Sequence, residues 1–384
     1  MRSAPTVLAV AFLVVGLTGC GGSTHPGSTE PPRTASPQPT QSSPTTASTA
    51  VDRAGPPRII GTIATGLVVP WGIAFLPDGS ALVTERDSGR VLHLSPPHSD
   101  ERHGRWRSAT VGHIGESDQP GGEAGLLGVA VSPSYSRDHR VFFYVSSDHD
   151  NRILRATYDG GRLGPPRAIL TGIPRGVIHD GGRLAFGPDG YLYASTGETG
   201  DRALAQDPHS LGGKILRITQ SGRPAPGDPH PGSSVWTLGH RNVQGLAWSP
   251  GGHLWASEFG DQTWDELNLI VRGANYGWPT VEGRSTLSRF RNPVAVWHTD
   301  QASPSGLAYD AGSLWLGALH GERLWRVPVR GTRIGDPKDY FVGSYGRMRT
   351  VVTAPDGKLW VTTSNRDGRG APRPGDDRIL LVQP

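Results

Sequence analysis

Six times along the chain a short run of small and apolar residues is broken by a turn and followed by a second run in which aromatic and β-branched residues alternate with others. The copies read WGIAFLPDGSALVTE from Trp71, LLGVAVSPSYSRDHRVFFYVS from Leu126 and GGRLAFGPDGYLYAST from Gly181. Three more follow, VQGLAWSPGGHLWASE from Val243, PSGLAYDAGSLWLGA from Pro304 and MRTVVTAPDGKLWVTT from Met348. Pro-Asp-Gly suits a tight turn because proline presets φ, aspartate bonds back to nearby backbone and glycine accepts positive φ. The alternation after it, as in Tyr191-Leu192-Tyr193-Ala194, predicts strands in a sheet whose two faces pack differently.

The turn residues Asp78, Ser134, Asp189, Gly251, Ala311 and Asp356 are spaced 56, 55, 62, 60 and 45 apart. Residues 58–384 divide into six units of about 54, the length consumed by a propeller blade of four short strands with its loops. The pattern therefore predicts an all-β fold, a six-bladed β-propeller of four-stranded antiparallel blades. Two β-sandwiches would share the turn signals but would not require one phrase six times. Composition agrees: among 384 residues, Gly 54 and Pro 34 are each about twice ordinary usage, which penalises long helices.

The first 57 residues read differently. An apolar stretch from Val7 to Leu17 has the length of a signal-peptide core and ends at Leu17-Thr18-Gly19-Cys20. That tetrapeptide resembles the bacterial lipobox, which predicts a signal peptide over 1–19, a lipidated Cys20 anchoring the protein to a membrane, and an extracytoplasmic location. An ordinary secretory signal carrying a chance cysteine is the alternative. Residues 20–57, rich in Ser, Thr, Pro and Gly, bury too little to offset ordering and read as a tether. The folded domain is expected over 58–384. A formal charge of +4 with no basic stripe argues against a nucleic-acid partner, and the single cysteine excludes internal disulfides and cysteine-rich zinc sites.

Loops of a propeller converge at the ends of its channel, so polar residues that no turn requires are the candidates for chemistry. His179-Asp180-Gly181-Gly182-Arg183 precedes the third inner strand and Thr196-Gly197-Glu198-Thr199-Gly200 follows its partner, which would bring Glu198 towards His179. Leu238-Gly239-His240-Arg241-Asn242 precedes the fourth inner strand and offers fixed donors for an anionic ligand. Ser257 to Glu266, with Gly260, Asp261, Asp265 and Glu266, combines carboxylates with glycine-exposed carbonyls, a donor set for a hard cation such as calcium. Arg347 and Arg349, at i and i+2 of a strand, face one side and make a fork for carboxylates. Read singly, each segment also fits a solvated loop or strand edge.

Taken together, GLLGVA at Gly125, HDGGRLAFGPDG at His179, LGGKILRI at Leu211, LGHRNVQGLAW at Leu238, DELNLI at Asp265 and NYGWP at Asn275 resemble the soluble-type, pyrroloquinoline-quinone (PQQ)-dependent aldose sugar dehydrogenases, the glucose/sorbosone dehydrogenase family. The resemblance spans nearly the whole folded part. It implies a quinone lying over the mouth of the propeller, held by calcium, and oxidation of an aldose at its anomeric carbon to a lactone, with electrons passed on to an acceptor the sequence does not identify. Carried over by residue, it makes His179 the base, Glu198 its acidic partner, Arg241 and Asn242 the cofactor-facing pair, and Gly260 and Asp261 the backbone ligands of calcium. It places Arg347 and Arg349 on the cofactor carboxylates, Glu123 on the substrate side and Trp297 as an aromatic lid over the sugar. Three positions depart from the family pattern: His320 where some members have a quinone-pairing lysine, Glu123 where some have glutamine, and Asp261 where some have proline. A calcium-dependent lactonase and a non-catalytic ligand-binding propeller are the competing readings, the former needing a closed metal cage in the channel.

Overall fold

The structure, a computed structural model, describes residues 55–97, 105–115 and 122–384; the expected signal peptide, Cys20 and nearly all of the tether lie outside them. It is a six-bladed propeller of antiparallel sheets. Counting from the channel outwards, blade 1 is Pro70–Phe75, Ala81–Glu85, Arg90–Ser95 and Arg107–His113. Blade 2 is Leu126–Val131, Arg140–Ser146, Asn151–Asp159 and Arg167–Ile173. Blade 3 is Leu184–Phe186, Leu192–Ser195, Lys214–Ile218 and Val235–Leu238. Blade 4 is Val243–Ser249, His253–Glu258, Trp264–Ile270 and Ala295–His298. Blade 5 is Pro304–Asp310, Ser313–Ala318 and Arg323–Arg330, whose outer edge pairs with both Arg333–Ile334 and Lys338–Tyr340.

Blade 6 is built from both ends of the described chain. Met348–Thr353, Leu359–Thr363 and Ile379–Gln383 come last in sequence, and the outermost strand is Arg58–Ala64, which pairs with Ile379–Gln383 from Arg58 opposite Gln383 to Ala64 opposite Ile379. The repeat pattern does not show this strand, because it belongs to no copy of the phrase. The second unit also differs from expectation: where the other copies turn tightly, Tyr135–Asp138 forms one helical turn ended by His139 at φ 50°.

The alternation along each second strand is explained by burial on both faces. Phe142 and Tyr144 pack towards blade 3, whereas Val141, Phe143 and Val145 pack towards blade 1. Trp255 likewise faces blade 5 while Leu254 and Ala256 face blade 3. Each of the six apolar clusters among the described residues thus fills the seam between two neighbouring blades, and the seam between blades 6 and 1 is filled by Trp360, Ile379, Val83 and Leu92.

A hydroxyl recurs five residues after the turn glycine, as Thr84, Ser195, Ser257 and Thr362. Thr84 Oγ1 donates to Leu127 O (2.5 Å), Ser195 Oγ to Val243 O (2.7 Å) and Ser257 Oγ to Ser305 O (2.7 Å), each reaching the inner strand of the next blade. In blade 2 the Tyr144 hydroxyl reaches the segment just before the inner strand of blade 3, donating to Asp180 O (2.9 Å). Blade 5 has Gly317 at this place because a Cβ there would lie 2.6 Å from Arg349 O. Small residues in the inner strands serve the same approach: a Cβ on Gly128 would meet Gly182 O at 2.2 Å.

Replacing Ser257 by Ala strips the buried Ser305 carbonyl of its donor, which costs about 1–3 kcal/mol. Thermal unfolding of Ser257→Ala is expected to show a Tm lowered by several degrees, with an unchanged far-UV spectrum.

Candidate active site

The strand-to-strand turns with their Pro-Asp-Gly signals lie at one end of the ring. The segments that precede inner strands, and those that join second to third strands, lie at the other. Glu123, His179, Arg241 and Arg347 come from the first kind of segment and Gly260, Asp261, His320 and Arg369 from the second. They all line one cavity of about 530 Å³. Residues separated by up to 246 positions in sequence touch there, as Glu123 and Arg369 do.

Two glycine-rich loops of blade 3 meet to build the pair at its wall. His179 Nδ1 lies 2.5 Å from Glu198 Oε1. The approach is possible because Gly197 lacks a Cβ, which would collide with His179 O, and because Gly181 (φ 66°) and Gly182 (φ 105°) turn the chain sharply. His179 itself is held at φ 60°, a conformation costly for a side-chain-bearing residue, with its N–H donated to Glu123 Oε2 at 3.0 Å. Since Glu198 is a carboxylate acceptor, the proton of the neutral imidazole belongs on Nδ1, leaving Nε2 as an acceptor. Glu198 is 1% exposed and its Oε2 has no protein partner. The loop that carries it is tied down by Lys214, whose Nζ donates to the carbonyls of Leu204, Ala205 and Gly212.

Arg241 is fixed from below and left open above. Its N–H donates to Glu258 Oε1 (2.6 Å), and Glu258 Oε2 in turn accepts from the His240 ring (2.8 Å) and Asn268 Nδ2 (3.1 Å). Its guanidinium donates to Asp261 Oδ1 (3.0 Å) and faces the Trp278 ring, with Nε unpartnered. Asn242 does not line the cavity; it braces the wall from behind, accepting from Gly181 N–H (3.1 Å) and donating to Glu123 Oε2 (3.4 Å).

The loop of Gly260 and Asp261 turns its N–H groups inward. Gly260 N–H donates to Asp265 Oδ1 (2.8 Å), and the four successive N–H groups of Asp261, Gln262, Thr263 and Trp264 all donate to Glu282 Oε1 at 2.8–3.1 Å. Although burial opposes it, this nest holds the Glu282 carboxyl below its ordinary range. A Cβ at residue 260 would strike Trp264 O, so only glycine fits there.

Glu123 does not stand in the cavity as a bare negative charge, because Arg369 Nη1 donates to its Oε1 at 2.8 Å. Burial acts to raise this carboxyl, but Arg369 and the His179 N–H together hold it below the usual range, so it is ionised and paired. Arg347 and Arg349 do face the same side, and both reach Asp367 Oδ2, at 3.0 and 3.3 Å. Their fork is thus already closed on an internal carboxylate; Arg347 still lines the cavity and Arg349 does not. His320 lines it, with Nδ1 at 3.0 Å from Thr299 O.

Two further expected residues lie outside the cavity. Trp297 packs against Trp325 (centroids 5.4 Å apart) in the seam between blades 4 and 5, because the alternation of its outer strand points it inward; it does not cover the cavity. Glu266 accepts from Gly283 N–H and Asn268 Nδ2 away from the cavity, and burial with the neighbouring Glu258 charge raises its carboxyl to about 8. Asp265 lines the cavity, but its two oxygens hold the N–H groups of Gly260 and Ser303, and burial raises its carboxyl to about 7.

A profile of the glucose/sorbosone dehydrogenase family matches residues 67–380. The chain belongs to the glucose/sorbosone dehydrogenase family. Among solved structures, it is similar to the PQQ-bound form of an aldose sugar dehydrogenase from Streptomyces coelicolor, 53% identical with a TM-score of 0.81 over 85% of this chain and 98% of that one. It is also similar to a putative glucose dehydrogenase from Thermus thermophilus, 42% identical with a TM-score of 0.78 over 85% and 100% of the two chains. The aldose sugar dehydrogenase YliI of Escherichia coli is 29% identical over 335 residues, covering 78% of this chain and 88% of that protein.

Reading the family's loops from sequence missed Asp367 and Arg369 of this member. Ser364-Asn365-Arg366-Asp367-Gly368-Arg369-Gly370 follows the second strand of blade 6 just as Thr196–Gly200 follows that of blade 3, so position in the repeat was the available signal.

Behind His179, Asp180 is 1% exposed; burial pushes its carboxyl up to about 7, despite hydrogen bonds from Asn151 Nδ2 and Gly176 N–H, and its Oδ2 has no partner. A folded value above the unfolded one means that ionisation is disfavoured in the fold. The resulting loss of stability is absent below about pH 4, grows as pH rises towards 7 and is constant above. Asp180→Asn should therefore gain Tm relative to the parent at pH 8 and not at pH 4.5, as read by paired thermal melts; a pH-independent difference would contradict the assignment.

Proposed function

We propose that this protein is an extracytoplasmic quinoprotein that oxidises an aldose at its anomeric carbon to the lactone, passing hydride to PQQ bound with calcium. The observation that carries this reading is the convergence of an imidazole with a free Nε2, backed by a buried carboxylate, and three guanidiniums on one cavity. The PQQ-bound state of the Streptomyces coelicolor relative supports the choice of cofactor.

The residues present fit that group. The cavity volume falls within the range of about 300–1,000 Å³ typical of small-ligand sites. Arg241, Arg347 and Arg369, which all line the cavity, suit an acidic planar ligand. With the N–H sides of Gly260 and Asp261 committed to Asp265 and Glu282, their carbonyls remain to serve a hard cation. When bound, the quinone supplies a two-electron hydride acceptor and calcium a Lewis acid beside it.

The chain's own contribution follows from the geometry. Nε2 of His179 takes the proton of the anomeric hydroxyl as the C–H bond breaks, and Glu198 stabilises the imidazolium through Nδ1–H. The unusual backbone at His179, held by Glu123, keeps the ring aimed at the cavity. Arg241 places positive charge where negative charge accumulates on the acceptor, and its position is secured by Glu258 and His240. Glu123 and Arg369 together form a polar wall for sugar hydroxyls. We further propose that Cys20 carries a lipid that tethers the domain outside the membrane, electrons leaving to a separate acceptor.

A lactonase of this shape needs a cage of acidic or histidine side chains; among the described residues no three such groups converge as one. The arginines of the last blade also have no task in that reaction.

Titrating the apo-protein with PQQ and calcium should produce a bound-quinone absorption change and sugar-dependent bleaching of an artificial electron acceptor. His179→Gln is expected to keep the spectral titration and lose at least about 100-fold in kcat. Failure of both spectrum and dye reduction across a broad aldose panel would sink the dehydrogenase reading.

A further inference from the structure

Beneath the active-site cavity the channel is crossed by Arg183. From the start of blade 3 its Nε donates to Gln244 O of blade 4 (2.8 Å), its Nη2 to Thr350 Oγ1 of blade 6 (3.2 Å), and its guanidinium lies 4.3 Å from the centre of the Trp71 ring in blade 1. The residue is only 8% exposed, yet no carboxylate touches it, and Nη1 has no protein acceptor among the described residues. The nearby Arg349 shares Asp367 with Arg347, so that carboxylate is already matched to two cations. Burial and the Arg349 charge lower the Arg183 value to about 9, which leaves it protonated at neutral pH. Below Arg183 lies a second cavity, of about 250 Å³, lined by this side chain and by inner-strand residues such as Ala74, Ala130, Leu246 and Val351. Inner strands end their sheets, so their free edges bring unpaired backbone N–H groups, alternating with C=O groups, to this space.

A buried cation without a counter-charge is poorly tolerated, and one beside a small cavity can recruit an anion to supply that charge. We propose that the cavity at the far end of the channel binds a small monovalent anion of the halide type on Arg183 Nη1, separately from the quinone and sugar site. The anion acts as a structural counter-ion that ties blades 1, 3, 4 and 6 together at the axis.

Crystals soaked in sodium bromide should show an anomalous peak within hydrogen-bonding distance of Arg183 Nη1. In solution, replacing sodium gluconate by sodium chloride at constant ionic strength should raise Tm by about 2–4 °C, a gain lost in Arg183→Met. Absence of bromide at Arg183 overturns the proposal, and so does a chloride gain that Arg183→Met retains. Should that variant not fold, the bromide map of the unaltered protein decides alone.

Discussion

The structure depends on ring closure. Every sheet buries both faces, so each blade is stable only when a neighbour covers each side, and no blade is terminal. Closure is achieved by lending the strand Arg58–Ala64 to blade 6, where it pairs with Ile379–Gln383. Opening the ring would expose the seam of Trp360, Ile379, Val83 and Leu92, so burial of that seam secures the pairing of Arg58–Ala64 with Ile379–Gln383. The hydroxyl links from one blade to the next add direction to this packing, because a hydrogen bond fixes the relative height of two strands where apolar contact alone would let them slide.

The same constraint makes the active site. Glu123, His179, Arg241, His320 and Arg347 introduce or follow strands of five different blades, and they share a cavity only because those strands are arranged around one axis. Inside that cavity charge is matched in a chain of contacts. Arg369 covers Glu123, Glu123 holds the His179 backbone, and Glu198 faces the His179 ring. Next to this pair, Glu258 holds the Arg241 backbone while Asp261 meets its guanidinium. Each of these carboxylates meets a guanidinium, an imidazole or a backbone N–H, so Glu123 does not face the cavity as an unpaired charge.

Much of this was legible in the repeat. Six copies of one phrase imply six equivalent blades, and the polar interruptions before inner strands pointed to His179, Arg241 and Arg347. The signals that failed did so for identifiable reasons. Trp297 and Glu266 look like site residues by chemistry, but each sits on a strand whose alternation sends it into a seam or a buried network. Asp367 and Arg369 were passed over because their loop carries no aromatic or histidine, although its place in the repeat is that of the Glu198 loop. The serine or threonine five residues after the turn glycine was visible as well, without any local feature to mark it as a bond to the next blade.

The sequence by itself determined the fold class, the number of blades and several of the residues that line the shared cavity, because strand alternation and turn residues are local properties that each repeat declares independently. Only the tertiary structure decided that the first strand closes the last blade, that Arg369 neutralises Glu123, that Arg347 and Arg349 converge on Asp367, and that Arg183 crosses the channel without a counter-charge. Apart from the Asp367 contacts, which lie within one blade, these join residues far apart in the chain. Such contacts are set by the radius and twist of the closed ring, quantities that belong to all six blades together and to none of their sequences alone.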